Sequence, residues 1–293
     1  MKTILVPTDF SAYSTNALFT AVAIVKPAGG EIILQHNIPT LLTRWEALSE
    51  TEKMKHPEVI ISTNEALVKL QDLSGSGLFK DIPVKKVITY GVTSDEIIRQ
   101  SKQENVDVIV MGSHGNTAAG KDFIASTTQR VIRESSRPVL AVKKEKRDVK
   151  WNKVVLPDTF DFDISKPFGK VRKIVQALGS TIQLLYINTP DNFKNTEEIH
   201  LRMKAFEMRY PELKFERAIY DHPDVEKGIL QFLEIEKPEY VAMITYDHKN
   251  HPKCFVSVTE TVVYHAHIPV LAVSVNSAAV EDKTEKDLAS STM

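Results

Sequence analysis

The chain has 293 residues, 42% of them hydrophobic and 26% charged, a composition that suits a globular protein of two ordinary domains. Its net charge of −1 excludes the general electrostatic pull toward nucleic acid or an anionic membrane that strongly basic proteins exert. A single cysteine, Cys254, excludes an intrachain disulfide and a cysteine-cluster metal site, and favours a reducing compartment.

The opening Met1-Lys-Thr-Ile-Leu-Val-Pro turns polar too soon for the apolar core of a signal peptide. No apolar run approaches the roughly 20 residues of a membrane helix, so the expected location is cytoplasmic. Thr3–Pro7 reads as a strand, and Ala17, Leu18, Ala21, Val22 and Val25 follow at helical spacing. Pro27 and the Gly29-Gly30 pair end that helix. Residues 31–36 read as a strand, 43–73 as mostly helical, Ser74-Gly-Ser-Gly77 as a break and Val84–Tyr90 as a strand. Gly91 then turns into a helix where Thr93 and Glu96 have the spacing of a capping box. Val106–Met111 is a continuous apolar run, as for a strand buried on both faces. A helix over 123–134 and a strand over Val139–Val142 follow.

The order then repeats. Strands are expected at Lys153–Pro157, 181–187, 213–220, 240–244 and 270–273, with helices near 168–178, 192–209, 223–236 and 255–266. Val131-Ile-Arg-Glu-Ser-Ser-Arg-Pro-Val-Leu-Ala-Val142 is echoed by Val262-Val-Tyr-His-Ala-His-Ile-Pro-Val-Leu-Ala-Val273, with Pro138 and Pro269 standing 131 residues apart. Alternating strands and helices used twice predict an α/β, Rossmann-like fold: two copies of a five-stranded parallel sheet with helices on both faces. The copies are expected at 1–146 and 151–275, joined by Arg147-Asp-Val-Lys150 and followed by a disordered, polar tail at 276–293.

In open parallel sheets ligands sit beyond the carboxyl ends of the strands. In the first copy Thr8 and Asp9 follow strand one, His36 and Asn37 close strand two, and Gly112-Ser-His-Gly115 follows strand four. A helix starting near Ala125-Ser-Thr-Thr128 would offer free N–H groups and hydroxyls to a phosphate. The alternative reading stands beside it: glycines after a strand serve as turns, and Ser126 and Thr127 serve as caps. Gly115-Asn-Thr-Ala-Ala-Gly-Lys121-Asp122 is one residue from a phosphate-binding loop, but Asp122 replaces the magnesium-binding hydroxyl and would repel phosphates.

Together Ile4-Leu-Val-Pro-Thr-Asp9, Gly91, Val106-Asp-Val-Ile-Val-Met-Gly-Ser-His-Gly115 and Arg137-Pro-Val-Leu-Ala-Val142 resemble the universal stress protein family, over about residues 1–275. The resemblance implies an adenine nucleotide alpha hydrolase-like fold and pairing of the two halves through their last strands, with further dimerisation open. It also implies ATP, with magnesium as its companion, on Thr8, Asp9, Asn37, Met111, Gly112, Gly115, Ala125, Ser126 and Thr127. Ala125 departs from the family pattern, which has glycine there. The resemblance assigns no reaction beyond slow ATP hydrolysis, and the protein partners stay unnamed.

The second copy has Leu156-Pro-Asp-Thr159, so acid and hydroxyl are exchanged relative to Thr8 and Asp9. After its fourth strand stands Thr245-Tyr-Asp-His248 without glycine, and the spacing suggests a loop shorter by about two residues. Ser257 and Thr259 match Ser126 and Thr128. No nucleotide is expected there. His248, His251 and Cys254 invite a zinc reading that fits no standard spacing, and His114 reads as a loop residue rather than a base. Two rival functions remain: a nucleotide-free interaction module in the stress response, and an ATP pyrophosphatase or nucleotidyltransferase. The enzyme reading is weakened by the absence of glycine in Thr8-Asp-Phe-Ser11.

Overall fold

The computed structural model describes residues 2–41, 45–113, 127–143, 151–245 and 256–274. The first half runs β1 (Thr3–Pro7), α1 (Ala12–Ala28), β2 (Glu31–Ile38), a short α2 (Glu50–Lys53), α3 (Pro57–Gly75), β3 (Val84–Tyr90), α4 (Thr93–Gln103), β4 (Val108–Gly112), α5 (Thr127–Glu134) and β5 (Val139–Val142). The second runs β6 (Lys153–Pro157), α6 (Ser165–Leu178), β7 (Thr181–Asn188), α7 (Thr196–Glu207), β8 (Phe215–Asp221), α8 (Val225–Glu236), β9 (Tyr240–Thr245), α9 (Val256–His265) and β10 (Val270–Ser274).

All ten strands form one sheet in the order β3-β2-β1-β4-β5-β10-β9-β6-β7-β8. Neighbours within each half are parallel. The two repeated last strands pair antiparallel, Leu271 opposite Leu140 and Val270 opposite Ala141, as a local two-fold between equivalent strands requires. Each thereby covers the other's open backbone edge. Strand alternation sends Ile4 and Val6 to one face, packed with Leu18, Leu70, Phe168 and Met203 from α1, α3, α6 and α7. Leu5 points to the other face, with Ile97, Val131, Ile229 and Val262 from α4, α5, α8 and α9.

Several local expectations shift. The capping box at α4 does not form: Val92 is the N-cap, without a side-chain cap bond, and the Thr93 hydroxyl instead accepts from Asn37. Strand four starts at Val108 rather than Val106, because Asn105 turns through φ 48° and the Val106 N–H closes that turn on the Ser101 carbonyl at 3.0 Å. α3 carries on through Ser74 to Gly75, beyond the expected break. The polar tail, the junction at 147–150 and the first turns of the expected 123–134 helix lie outside the described residues.

Register also corrects the comparison of the halves. Ile109 and Val241 hold equivalent places beside β5 and β10, so strand four repeats at 132 residues, not 133. The counterpart of Gly112 is therefore Ile244, and the loop after strand four is shorter by one residue rather than two.

Candidate functional site

The turn after β1 is built by side chains bonding their own backbone. The Thr8 N–H extends the ladder to the Gln35 carbonyl at 2.7 Å. The Thr8 hydroxyl accepts the Phe10 N–H at 3.0 Å and donates to Ser14 Oγ at 3.2 Å. Asp9 Oδ1 accepts the Ser11 N–H at 3.0 Å, and Ser11 Oγ caps α1 by accepting the Ser14 N–H at 3.3 Å. These bonds hold Phe10 at φ 64°, in the left-handed region, and its ring centre lies 4.7 Å from that of His36 and 5.4 Å from Lys69 Nζ. His36 Nδ1 is 2.8 Å from the Thr8 carbonyl, which can only accept, so Nδ1 carries the proton.

Asp9 stands exposed at the rim of this turn. Partial burial of its carboxyl would push the pKa up, but hydrogen bonds from the Ser11 side chain and backbone and from Ser14 outweigh that and leave it below the ordinary value. An ionised acceptor is therefore fixed in place there.

Asn37 is spent on structure. Its Nδ2 donates to the Gly91 carbonyl and to Thr93 Oγ1, both at 3.0 Å, while Oδ1 accepts from the Thr89 hydroxyl at 3.0 Å. The side chain ties β2 to β3 and to the start of α4. Met111 is buried, and Gly112 lies against α1 so closely that a β-carbon there would meet the Tyr13 carbonyl carbon and oxygen at 2.6 Å. The Thr128 hydroxyl donates to the Gly112 carbonyl at 2.8 Å, joining α5 to the end of β4.

These segments enclose a cavity of about 770 Å³ at the carboxyl ends of β1, β2 and β4. That volume is within the roughly 300–1,000 Å³ of small-molecule sites. Thr8, Asp9, Asn37, Met111, Gly112 and Thr127 all line it. Gly115, Ala125 and Ser126 lie outside the described residues, as do His114, Lys121 and Asp122. Ser62, Glu65 and Lys69 of α3 complete the wall and were not foreseen. Thr128 was foreseen in the helix start that offers hydroxyls to a phosphate and as the partner of Thr259, not as the residue that bonds the Gly112 carbonyl.

The second half shows the same turn with its chemistry exchanged. Asp158 extends the ladder to the Leu185 carbonyl at 3.0 Å, as Thr8 does to Gln35. Its carboxylate accepts the Phe160 N–H at 2.6 Å, and Phe160 sits at φ 55° like Phe10. Ile187 replaces Asn37, and Tyr186 replaces His36. Lys194 Nζ lies 5.6 Å from the Tyr186 ring centre and donates to Asp161 Oδ2 at 3.4 Å, while Arg202 also pairs with Asp161. The loops after β6 and β7 are thus tied together. At the Gly112 position stands the buried Ile244. α6 also starts later: residues 158–164 separate it from β6, against 8–11 between β1 and α1.

Among the described residues there is no group of three or more His, Cys, Asp or Glu side chains placed to hold a metal. His248, His251 and Cys254 lie outside those residues. No described helix is long and apolar enough to cross a membrane.

The sequence profile described as the Universal stress protein family matches residues 1–143. Universal stress protein MJ0577 of Methanocaldococcus jannaschii is 32% identical over 155 residues, which cover 49% of this chain and 96% of that protein. Universal stress protein YxiE of Bacillus subtilis is 26% identical over 145 residues, or 47% of this chain and 97% of that protein. A universal stress protein from Archaeoglobus fulgidus superposes along nearly the whole length, with TM-score 0.66, 20% identity, and 92% of this chain and 97% of that one covered. The structure of PA1789 from Pseudomonas aeruginosa, titled functionally unknown, does likewise with TM-score 0.62 and 14% identity, covering 98% of each chain. These last two likenesses speak to the fold.

Proposed function

The chain belongs to the universal stress protein family, and on that premise we propose that its first half is an adenine-nucleotide sensor and its second half a supporting partner. One observation carries the reading. Thr8, Asp9, Asn37, Met111, Gly112 and Thr127, drawn from four separate segments, line one cavity of about 770 Å³. Its residues suit a nucleoside. Asp9 is an ionised acceptor for ribose hydroxyls, and the end of β2 borders the same cavity, where a base would lie. Thr127 and the first turn of α5 offer a hydroxyl and N–H groups to the phosphate side. Magnesium enters only as the companion of the triphosphate.

Occupancy acts by linkage. A ligand that prefers the folded first half stabilises it by about 2.7 kcal/mol at a hundred times Kd. The sheet is continuous through β5 and β10, so a change in the first half reaches the whole surface offered to partners. The test is thermal unfolding with and without ATP. ATP raises the midpoint of the native chain, and Asp9→Ala removes the rise. An unmoved midpoint at millimolar ATP returns the protein to the nucleotide-free interaction module, which the alanine at position 125 favours.

A further inference from the structure

The seam between the halves holds a second cleft, of about 470 Å³, on the flank of α6. The first half contributes Asp107, just before β4, and Arg137, just before β5. The second contributes Lys170 and Lys173, three apart on one helical face. Lys170 Nζ donates to the Ser136 carbonyl at 2.8 Å, which docks α6 on the turn carrying Arg137. Ser135 holds that turn: its hydroxyl accepts the Arg137 N–H at 2.9 Å and donates to the Arg137 carbonyl at 3.1 Å. The Arg137 Nε is left buried and without a hydrogen-bond partner among the described residues. Asp107, the acid on the lining, is already engaged, since Oδ2 accepts the backbone N–H of Lys2 at 2.6 Å and of Thr3 at 3.2 Å.

The pseudo-symmetry supplies a control. Glu239 stands in the place of Asp107 and accepts the Lys153 N–H at 2.8 Å, so the acid and its backbone bond belong to the fold. The cations do not. The strand registers put Thr20 and Ala23 of α1 where Lys170 and Lys173 stand on α6, and the repeat puts Ile268 where Arg137 stands. Lys170 is spent on docking α6, but Ile268 and Ala23, the counterparts of Arg137 and Lys173, are uncharged, so the fold repeats without those two charges.

We propose that this cleft is a second binding site, for a small phosphate-bearing anion, separate from the nucleotide cavity. The Arg137 fork suits two phosphate oxygens, and Lys173 adds a point charge beside it. Gln176 and Ala177 lie in the last turn of α6, where the helix dipole opposes an anion, so the phosphate sits toward Lys170 and Lys173. The cleft and the nucleotide cavity lie at opposite ends of β4, about 16 Å apart for five residues of strand. Because its groups come from both halves, occupancy ties the halves together.

The test is calorimetric titration of the full chain with inorganic pyrophosphate at constant ionic strength. The native chain binds, and Arg137→Gln with Lys173→Gln weakens binding at least tenfold. Lys85→Gln with Lys86→Gln removes the same charge from the outer strand β3 and leaves binding unchanged. If the Arg137 change impairs folding, Lys173→Gln alone, at an exposed position, weakens binding at least threefold. The proposal is overturned if the native chain does not bind pyrophosphate. It is equally overturned if the seam variants bind like the native chain, or if the β3 variant loses as much.

Discussion

Gly112 packs on Tyr13 with no room for a β-carbon, which would stand 2.6 Å from the Tyr13 carbonyl. A glycine that reads in sequence as part of a phosphate loop is therefore first a packing residue. It lets α1 approach the end of β4.

The first prediction follows directly. Gly112→Ala destabilises the chain without any ligand, by about 1–3 kcal/mol, the ordinary cost of overpacking. Urea unfolding measures it, and an unchanged midpoint would show that α1 does not press on this residue. Substituting Gly112 is thus a poor probe of nucleotide binding, and Asp9 a better one.

Asp9 gives the second. Its folded pKa is depressed below 3.8, so its contribution to stability is present above that value and lost as pH falls through the folded one. Ser11→Ala removes the hydroxyl while burial of the carboxyl persists, so the Asp9 pKa rises. Carboxyl chemical shifts followed by NMR across pH 2–6 (about the span in which carboxylates titrate) report it. No rise would mean that Ser11 is not what holds the charge. Loss of the α1 cap costs about 1 kcal/mol besides.

A third concerns the seam. Lys143 Nζ donates to the Ala266 carbonyl at 2.9 Å and to that of Tyr264, at the end of α9. Burial pushes its pKa down from 10.5 to about 8. The unfolded chain binds the extra proton between those values, so this residue's contribution grows as pH rises through that window and is lost as pH falls through about 8. Lys143→Met flattens the rise in unfolding free energy between pH 8 and 9.5 (about the usable part of the window) relative to the native chain. Parallel curves for the two proteins would contradict the assignment.

The fourth tests the reversed packing of the halves. In the first, Gly91 faces Glu96, its absent β-carbon 3.6 Å from the Glu96 Cγ; in the second, the β-carbon missing from Gly228 would meet the His222 Cβ at 2.9 Å. Gly228→Ala alone gains nothing, because contact offsets the roughly 1 kcal/mol of helix propensity. Ile187 Cγ2 would also stand 2.9 Å from that β-carbon, so in the His222→Gly background the same change costs less but keeps part of its penalty. A double-mutant cycle with no coupling would refute the contact.

The sequence carried the architecture because its signals were local and repeated. Val-Leu-Ala-Val after Pro138 and after Pro269 reads as a strand wherever it falls, and the structure pairs the two copies. Features that depend on tertiary contact stayed hidden. Thr93 and Glu96 have capping-box spacing, yet Asn37 reaches across from β2 to take the Thr93 hydroxyl. Counting residues between motifs put Met111 opposite Ile244, whereas sheet register puts Gly112 there. The α3 wall of the cavity is set by how that helix lies over β2, which no spacing in Ser62, Glu65 and Lys69 reveals. The Arg137 Nε, buried without a hydrogen-bond partner among the described residues, was invisible for the same reason.

The central claim is that one half senses nucleotide and the other does not. Calorimetric titration of the full chain with ATP and magnesium tests it most directly. The account predicts binding at one nucleotide per chain, abolished by Asp9→Ala and untouched by Thr159→Ala in the equivalent turn of the second half. No binding, two nucleotides per chain, or binding that survives Asp9→Ala and fails with Thr159→Ala would contradict it.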